Sequence, residues 1–107
     1  MTVVDINGRL AAAVAVEYLG WEVGQRLTIT GDRGSVVTIM RAFDGTALRP
    51  RGFLRLPMSV RHRCRIRTGE RVLLAASREL DLLIVYPSHT LTAALHRYRP
   101  ELWDRAS

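Results

Sequence analysis

Gly52-Phe53-Leu54-Arg55-Leu56-Pro57, continued by Cys64-Arg65-Ile66 and by Thr68-Gly69-Glu70-Arg71-Val72, decides the fold, because the first half of the chain runs through the same features in the same order. Gly8-Arg9-Leu10 stands where Gly52-Phe53-Leu54 stands. Trp21 answers to Ile66, and Val23-Gly24-Gln25-Arg26 answers to Thr68-Gly69-Glu70-Arg71. Gly8 and Gly24 are 16 residues apart, Gly52 and Gly69 are 17 apart, and one slipped residue near 11–13 brings the two copies into register.

Each copy reads as a strand, a helix and a hairpin. In the first, Val3-Val4-Asp5-Ile6 is a short β-rich run ended by Asn7-Gly8. The alanine-rich residues 11–19 suit one short helix, closed by Gly20 in the manner of a C-cap. Arg26-Leu27-Thr28-Ile29-Thr30 alternates like a half-buried strand, Gly31-Asp32-Arg33-Gly34 signals a turn, and Ser35-Val36-Val37-Thr38-Ile39-Met40 returns. Asp44-Gly45 punctuates the join and Leu48 opens the second copy, where Pro57 starts a short helix at its permitted first position. Val72-Leu73-Leu74 and Leu82-Leu83-Ile84-Val85 form the second hairpin around Arg78-Glu79. The second of these strands is apolar throughout, which predicts cover on both faces.

One hairpin with one helix is marginal in water. Two copies about a pseudo-two-fold axis can close a core and remove strand edges. The expectation is a mainly β fold with short helices: one domain over 1–107, repeats at 2–43 and 46–86, and a helical tail at 87–107.

Composition narrows the class. A chain of 107 residues, 48% hydrophobic, supports one folded core. No apolar run is long enough to span a membrane. Met1-Thr2-Val3-Val4-Asp5 lacks the basic opening of a signal peptide, and Cys64 is the single cysteine, so a cytoplasmic protein is expected. All 16 basic residues are arginine. A GC-rich genome explains that choice; so does a need for forked donors that grip phosphate and guanine edges. Distribution says more. Residues 1–45 carry four arginines and five acids, a net of −1, whereas the rest carry twelve arginines and five acids, a net of +7. One-sided basicity is the footprint of a nucleic-acid binder, although acidic lipid or an acidic protein would also answer it.

The basic residues concentrate at Arg49, Arg51, Arg55, Arg61, Arg63, Arg65 and Arg67. Arg49, Arg51 and Arg55 alternate along an extended segment, which places them on one strand face with Leu48, Leu54 and Leu56 turned to the core. Leu54 keeps that phase only if Gly52 disturbs the pleat. Arg61 and Arg65 are four apart on the expected helix and share its face. Charges packed this densely repel one another, which argues for an anionic partner; the plain alternative is a solvated face on a basic protein.

These same residues carry a resemblance. Residues 52–61 with Cys64-Arg65-Ile66 and Thr68-Gly69-Glu70-Arg71-Val72 resemble the AbrB/MazE/SpoVT DNA-binding domain, which shows Gly-Arg-Ile-x-Ile-Pro, an arginine, Leu-Gly-Ile and a Gly-Asp before a hairpin. Val4-Asp5-Ile6-Asn7-Gly8-Arg9-Leu10 and Leu19-Gly20-Trp21 resemble the same domain in the first half, so the likeness covers residues 3–86. It implies a swapped-hairpin β-barrel, usually made by two chains and here completed by one, that binds double-stranded DNA as a transcription regulator or antitoxin. The family's Gly-Arg arginine is present as Arg9 and replaced by Phe53, its helix arginine is present as Arg61, and its proline is Pro57. The implied DNA contacts are therefore unequal: the second copy, with Arg9 as a lesser contributor.

Other residues read more plainly. Cys64 takes the family's leucine position and is expected in the core, as is Trp21, and Asp5 is expected to cap or turn. His62 and Cys64 lack metal spacing, His89 and His96 lie far off, and no serine–histidine–acid set or paired carboxylates can be assembled. No enzyme activity, metal or cofactor is expected. In the tail, Ser88 is a candidate N-cap, Leu91, Ala94, Leu95 and Tyr98 fall at helical spacing up to Pro100, and Leu102 and Trp103 add apolar surface. This helix either covers the barrel or meets a partner: a second copy, a toxin, or another protein. Antitoxin tails of the resembled family are usually more acidic and flexible than His96-Arg97-Tyr98-Arg99.

Overall fold

Strand pairing between distant parts of the chain organises the computed structural model, which describes residues 1–32 and 35–101. The strands are β1 (Thr2–Val3), β2 (Arg9–Ala11), β3 (Arg26–Gly31), β4 (Val37–Arg41), β5 (Thr46–Ala47), β6 (Phe53–Arg55), β7 (Arg71–Ser77) and β8 (Leu82–Pro87). Three short helices, α1 (Ala13–Leu19), α2 (Met58–Arg63) and α3 (Ser88–Tyr98), and a 3-10 turn at Pro50–Gly52 complete it. Six strands form a curled antiparallel half-barrel in the order β1-β7-β8-β4-β3-β5, and β2 and β6 form a separate ribbon. None of the helices is long and apolar enough to cross a membrane, among the described residues.

The strand order has matched ends, and the backbone bonds match with it. Val4 N donates to Glu70 O at 3.0 Å, and Leu48 N to Gln25 O at 2.9 Å. Gly69 N donates to Val4 O, and Gly24 N to Leu48 O. Ala12 N donates to Gly52 O at 3.0 Å, and Leu56 N to Gly8 O at 2.9 Å. Matched residues are 44 apart up to Leu56 and 45 apart from the helices onward, as in Trp21 N to Val16 O against Ile66 N to Arg61 O. The opening strand of each half therefore pairs with the hairpin of the other half.

Alternation sets the core. Leu10 and Leu54 lie opposite each other in the ribbon and are buried, as are Leu27, Ile39 and Leu83 in the sheet. Each such side chain contributes roughly 1.5–3 kcal/mol relative to exposure. Trp21 is buried here too, and its Nε1 donates to Asp81 Oδ1 at 2.8 Å. Asp81 Oδ2 meets Arg41 Nε at 2.8 Å. Helix α1 ends at Gly20, in the left-handed region, and its last carbonyls are taken by arginines from the hairpins. Arg78 Nε donates to Tyr18 O at 3.1 Å, with its guanidinium 4.3 Å from the Tyr18 ring centroid, and Arg41 Nη2 donates to Leu19 O at 3.4 Å. These are the groups a helix end leaves without intrahelical partners.

Asp81→Ala removes the Trp21 partner and the Arg41 pair together. The expected loss is about 1–3 kcal/mol, because the indole N–H is left unsatisfied, while Asp81→Asn costs less because it keeps that bond. Urea midpoints of the two variants check this; equal midpoints would deny the Trp21–Asp81 bond its role.

Several sequence expectations need correction. The strand β8 is fully covered on one face and half-covered on the other: Leu83, Val85 and Pro87 are buried, and Leu82, Ile84 and Tyr86 are half-buried. The first helix starts at Ala13 rather than 11, since Ala11 is held in the ribbon opposite Phe53. Residues 5 and 6 leave the opening strand because the Asp5 side chain folds the chain into a turn. The returning strand runs Val37–Arg41, starting later than Ser35. Pro57 is extended and precedes α2, and Ser88 is the first residue of α3 with no side-chain cap before it.

Candidate nucleic-acid interface

In the ribbon, Arg9 pairs with Arg55, Leu10 with Leu54 and Ala11 with Phe53. Burial of the two leucines turns Arg9, Ala11, Phe53 and Arg55 to the outer face. Two arginines thus stand directly opposite each other at one end of the ribbon. Arg9 is partly neutralised: its Nε meets Asp5 Oδ2 at 2.9 Å, and its guanidinium carbon sits 5.7 Å from the Phe53 centroid. Asp5 Oδ1 also accepts from the backbone N–H groups of Arg9 at 2.8 Å and Asn7 at 2.9 Å.

These bonds hold the Asp5 carboxyl below its ordinary value, chiefly through the Arg9 backbone N–H; loss of water opposes this, and the Arg9 side chain and the Asn7 N–H add to the lowering. A depressed folded-state value means that Asp5 stabilises the fold fully above its unfolded-state value, and this is lost as pH falls through the lower folded-state value. Asp5→Asn is therefore expected to flatten part of the acid limb of stability. Urea midpoints measured from about pH 6 to about pH 2 would reveal it; an unaltered limb would count against the Asp5 turn.

Arg49, Arg51 and Arg55 do not share a strand face. Only Arg55 lies in β6, while Arg49 precedes and Arg51 occupies the 3-10 turn, Arg51 at φ 64°. Gly52 follows at φ 73°, and this break in the extended run is what sends Leu54 to the core. Arg49 takes the place matched to Asp5: Arg49 N donates to Phe53 O at 3.1 Å as Asp5 N donates to Arg9 O at 2.9 Å.

Arg61 and Arg65 do not share a helix face either. Helix α2 ends at Arg63, Cys64 closes it, and Arg65 turns left-handed at φ 55°. Arg61 is half-buried with its guanidinium against Gly8, and its Nε donates to Leu56 O at 3.1 Å, so it joins α2 to the ribbon. Arg49, Arg51, Arg55, Arg63, Arg65 and Arg67 are exposed, and among the described residues none of these six has a hydrogen-bonded or ion-paired side-chain partner. Six bare guanidiniums within 19 positions carry a concentrated positive field.

A seventh arginine joins them that sequence reading passed over. Arg26, exposed on β3, has its Nη1 tied to Gly45 O at 3.0 Å and lines a groove of about 520 Å³ with Arg49, Arg55, Pro50 and Pro57. The alternation of residues 26–30 turns Arg26 outward, but only the pairing of β3 with β5 brings it to the second half.

No family model, curated protein or solved structure matches this chain.

The remaining candidates fall elsewhere. Cys64 is fully buried with Sγ 3.2 Å from Asp32 O, and loss of water, followed by the Asp32 charge, pushes its thiol up and away from the reactive thiolate. Among the described residues, no three His, Cys, Asp or Glu side chains group to hold a metal. Helix α3 rests on β7 and β8 and is tied by Thr90 Oγ1 to Ser35 O at 2.7 Å, yet none of its residues is fully buried. Leu91 is half-buried, whereas Leu95 and Tyr98 are exposed; Leu102 and Trp103 lie outside the described residues.

Proposed function

We propose that the chain binds double-stranded DNA through the arginine surface of residues 49–67, as a cytoplasmic transcription regulator of AbrB type. The observation that carries this reading is the set of six arginines between Arg49 and Arg67 that are exposed and, among the described residues, unpartnered. Like charges this close repel one another, and an anionic partner relieves that repulsion. A guanidinium fork meets phosphate oxygens and guanine edges with two parallel bonds, and such contacts position a protein on a duplex. The matched backbone bonds support a duplicated swapped-hairpin unit, with one chain taking the place of two. In that arrangement the first half completes the core and lends Arg9 and Arg26, while the second half grips.

Six phosphate contacts give a log–log salt slope near −5. Anisotropy of a labelled duplex, titrated between about 50 and about 200 mM salt, measures it. Salt-independent affinity, or none at low salt, would reject the reading.

A second reading is an antitoxin or other interaction module that uses α3. The exposure of Leu95 and Tyr98 beside half-buried Leu91 favours it. The partner would be a second copy or a toxin, and the mass of the purified chain in solution, alone and with that toxin, separates the two.

A further inference from the structure

We propose that the groove between β5, the 3-10 turn and β6 is a seat for one phosphate group, held by Arg26, Arg49 and Arg55. The proposal deepens the DNA reading and rests on it for the source of the phosphate, a backbone phosphodiester. Its own support is local. The three arginines line one groove together with Thr46, and no carboxylate lines it. Arg26 is held in place by its bond to Gly45 O, and Arg49 and Arg55 have no competing partner among the described residues. Pro50 and Pro57 fix the backbone on either side. A phosphate with two or three anionic or partly anionic oxygens can accept from three guanidiniums at once, and each such bond is charge-assisted.

The molecule supplies its own comparison. The positions matched by backbone bonding to Arg26, Arg49 and Arg55 are Arg71, Asp5 and Ala11. That trio has no net charge, and its carboxylate would repel an anion. Related backbone therefore offers three positive groups on one side and none in excess on the other. The stoichiometry follows: one phosphate per chain.

The test uses the full chain labelled with nitrogen-15 and follows arginine Nε–H resonances while inorganic phosphate is added at constant ionic strength. Saturating shifts of Arg26, Arg49 and Arg55, with Arg71 unmoved, are expected at one phosphate per chain. Arg26→Gln and Arg49→Gln should each weaken phosphate about tenfold, the loss of one charge-assisted bond. Arg49 makes no internal side-chain bond among the described residues, so its variant keeps the test open if Arg26→Gln unfolds. Equal drift of all arginines, Arg71 included, overturns the seat even if the duplex binds. On the duplex, Arg26→Gln and Arg49→Gln combined should lower the salt slope by about 0.9, the one phosphate lost, which assigns the seat to a phosphodiester. Saturable phosphate binding with no duplex binding at low salt keeps the seat, makes free phosphate its ligand and overturns the DNA reading.

Discussion

Replacing Arg49, Arg51 and Arg55 together with alanine is expected to lower duplex affinity about sixty-fold at about 0.1 M salt, and to bring the salt slope from near −5 to near −3. The size follows from counting. Each phosphate neutralised releases about 0.9 counterion; Arg51 meets one and Arg49 and Arg55 share the seated one, so two lost phosphates remove close to two powers of ten at that salt. Stability should hardly change, because these side chains are exposed and make no internal bond among the described residues. Arg61→Ala makes the contrast. Its guanidinium is committed to Leu56 O and the Gly8 surface, so its loss is felt mainly in the fold. Fluorescence anisotropy and urea unfolding on the same samples separate the two effects. Undiminished duplex binding by the triple variant would leave α3 as the functional surface.

Gly52→Ala is expected to cost about 3 kcal/mol, a large share of the roughly 5–15 kcal/mol that holds a domain of this size. Two causes add. At φ 73° any Cβ is strained, and here it would lie 2.5 Å from Ala13 Cα and 2.9 Å from Ala13 N. Both atoms are backbone and cannot swing aside. The matched Gly8 has nearly the same φ, 76°, but its added Cβ would meet the Arg61 guanidinium at 2.6 Å. A side chain can move, so Gly8→Ala should cost about half as much. The collision also predicts coupling: in an Arg61→Ala background, Gly8→Ala should cost less than it does alone. Thermal unfolding of the four proteins in that cycle, beside Gly52→Ala, gives the numbers. Equal losses at Gly8 and Gly52 would contradict the different contacts that the two sites make.

What could be read from the chain were the features carried by neighbouring residues. The alternation of Arg26 to Thr30 marks β3, and the glycine after Leu19 marks the end of α1, whereas the ribbon of β2 and β6 pairs distant segments and was not read. The mainly β architecture follows from these. Errors came where distant contacts overrule local pattern. The alternation of Arg49, Arg51 and Arg55 suggested a strand, but Pro50 and Gly52 permit a tight turn, and Arg51 adopts a left-handed conformation within it. The spacing of Arg61 and Arg65 suggested a common helical face, yet α2 is only six residues long. The uniform apolarity of residues 82–85 hid which face would be covered, because a run without alternation carries no phase. Arg26 entered the groove through a strand pair formed across the join between halves, and no local pattern announces that.

The exchange of opening strands between halves also sets an order of events during synthesis. Val4 bonds to Glu70, and β1 pairs with β7, so the N-terminal strand has no partner until more than sixty further residues have been made. The first hairpin can close early, but the ribbon needs β6 and the sheet edge needs β7. Half a chain is therefore half a fold with its leucines uncovered. Closure over such long separations makes folding slower than helix-rich topology would allow, and makes completion of the second half the committing step.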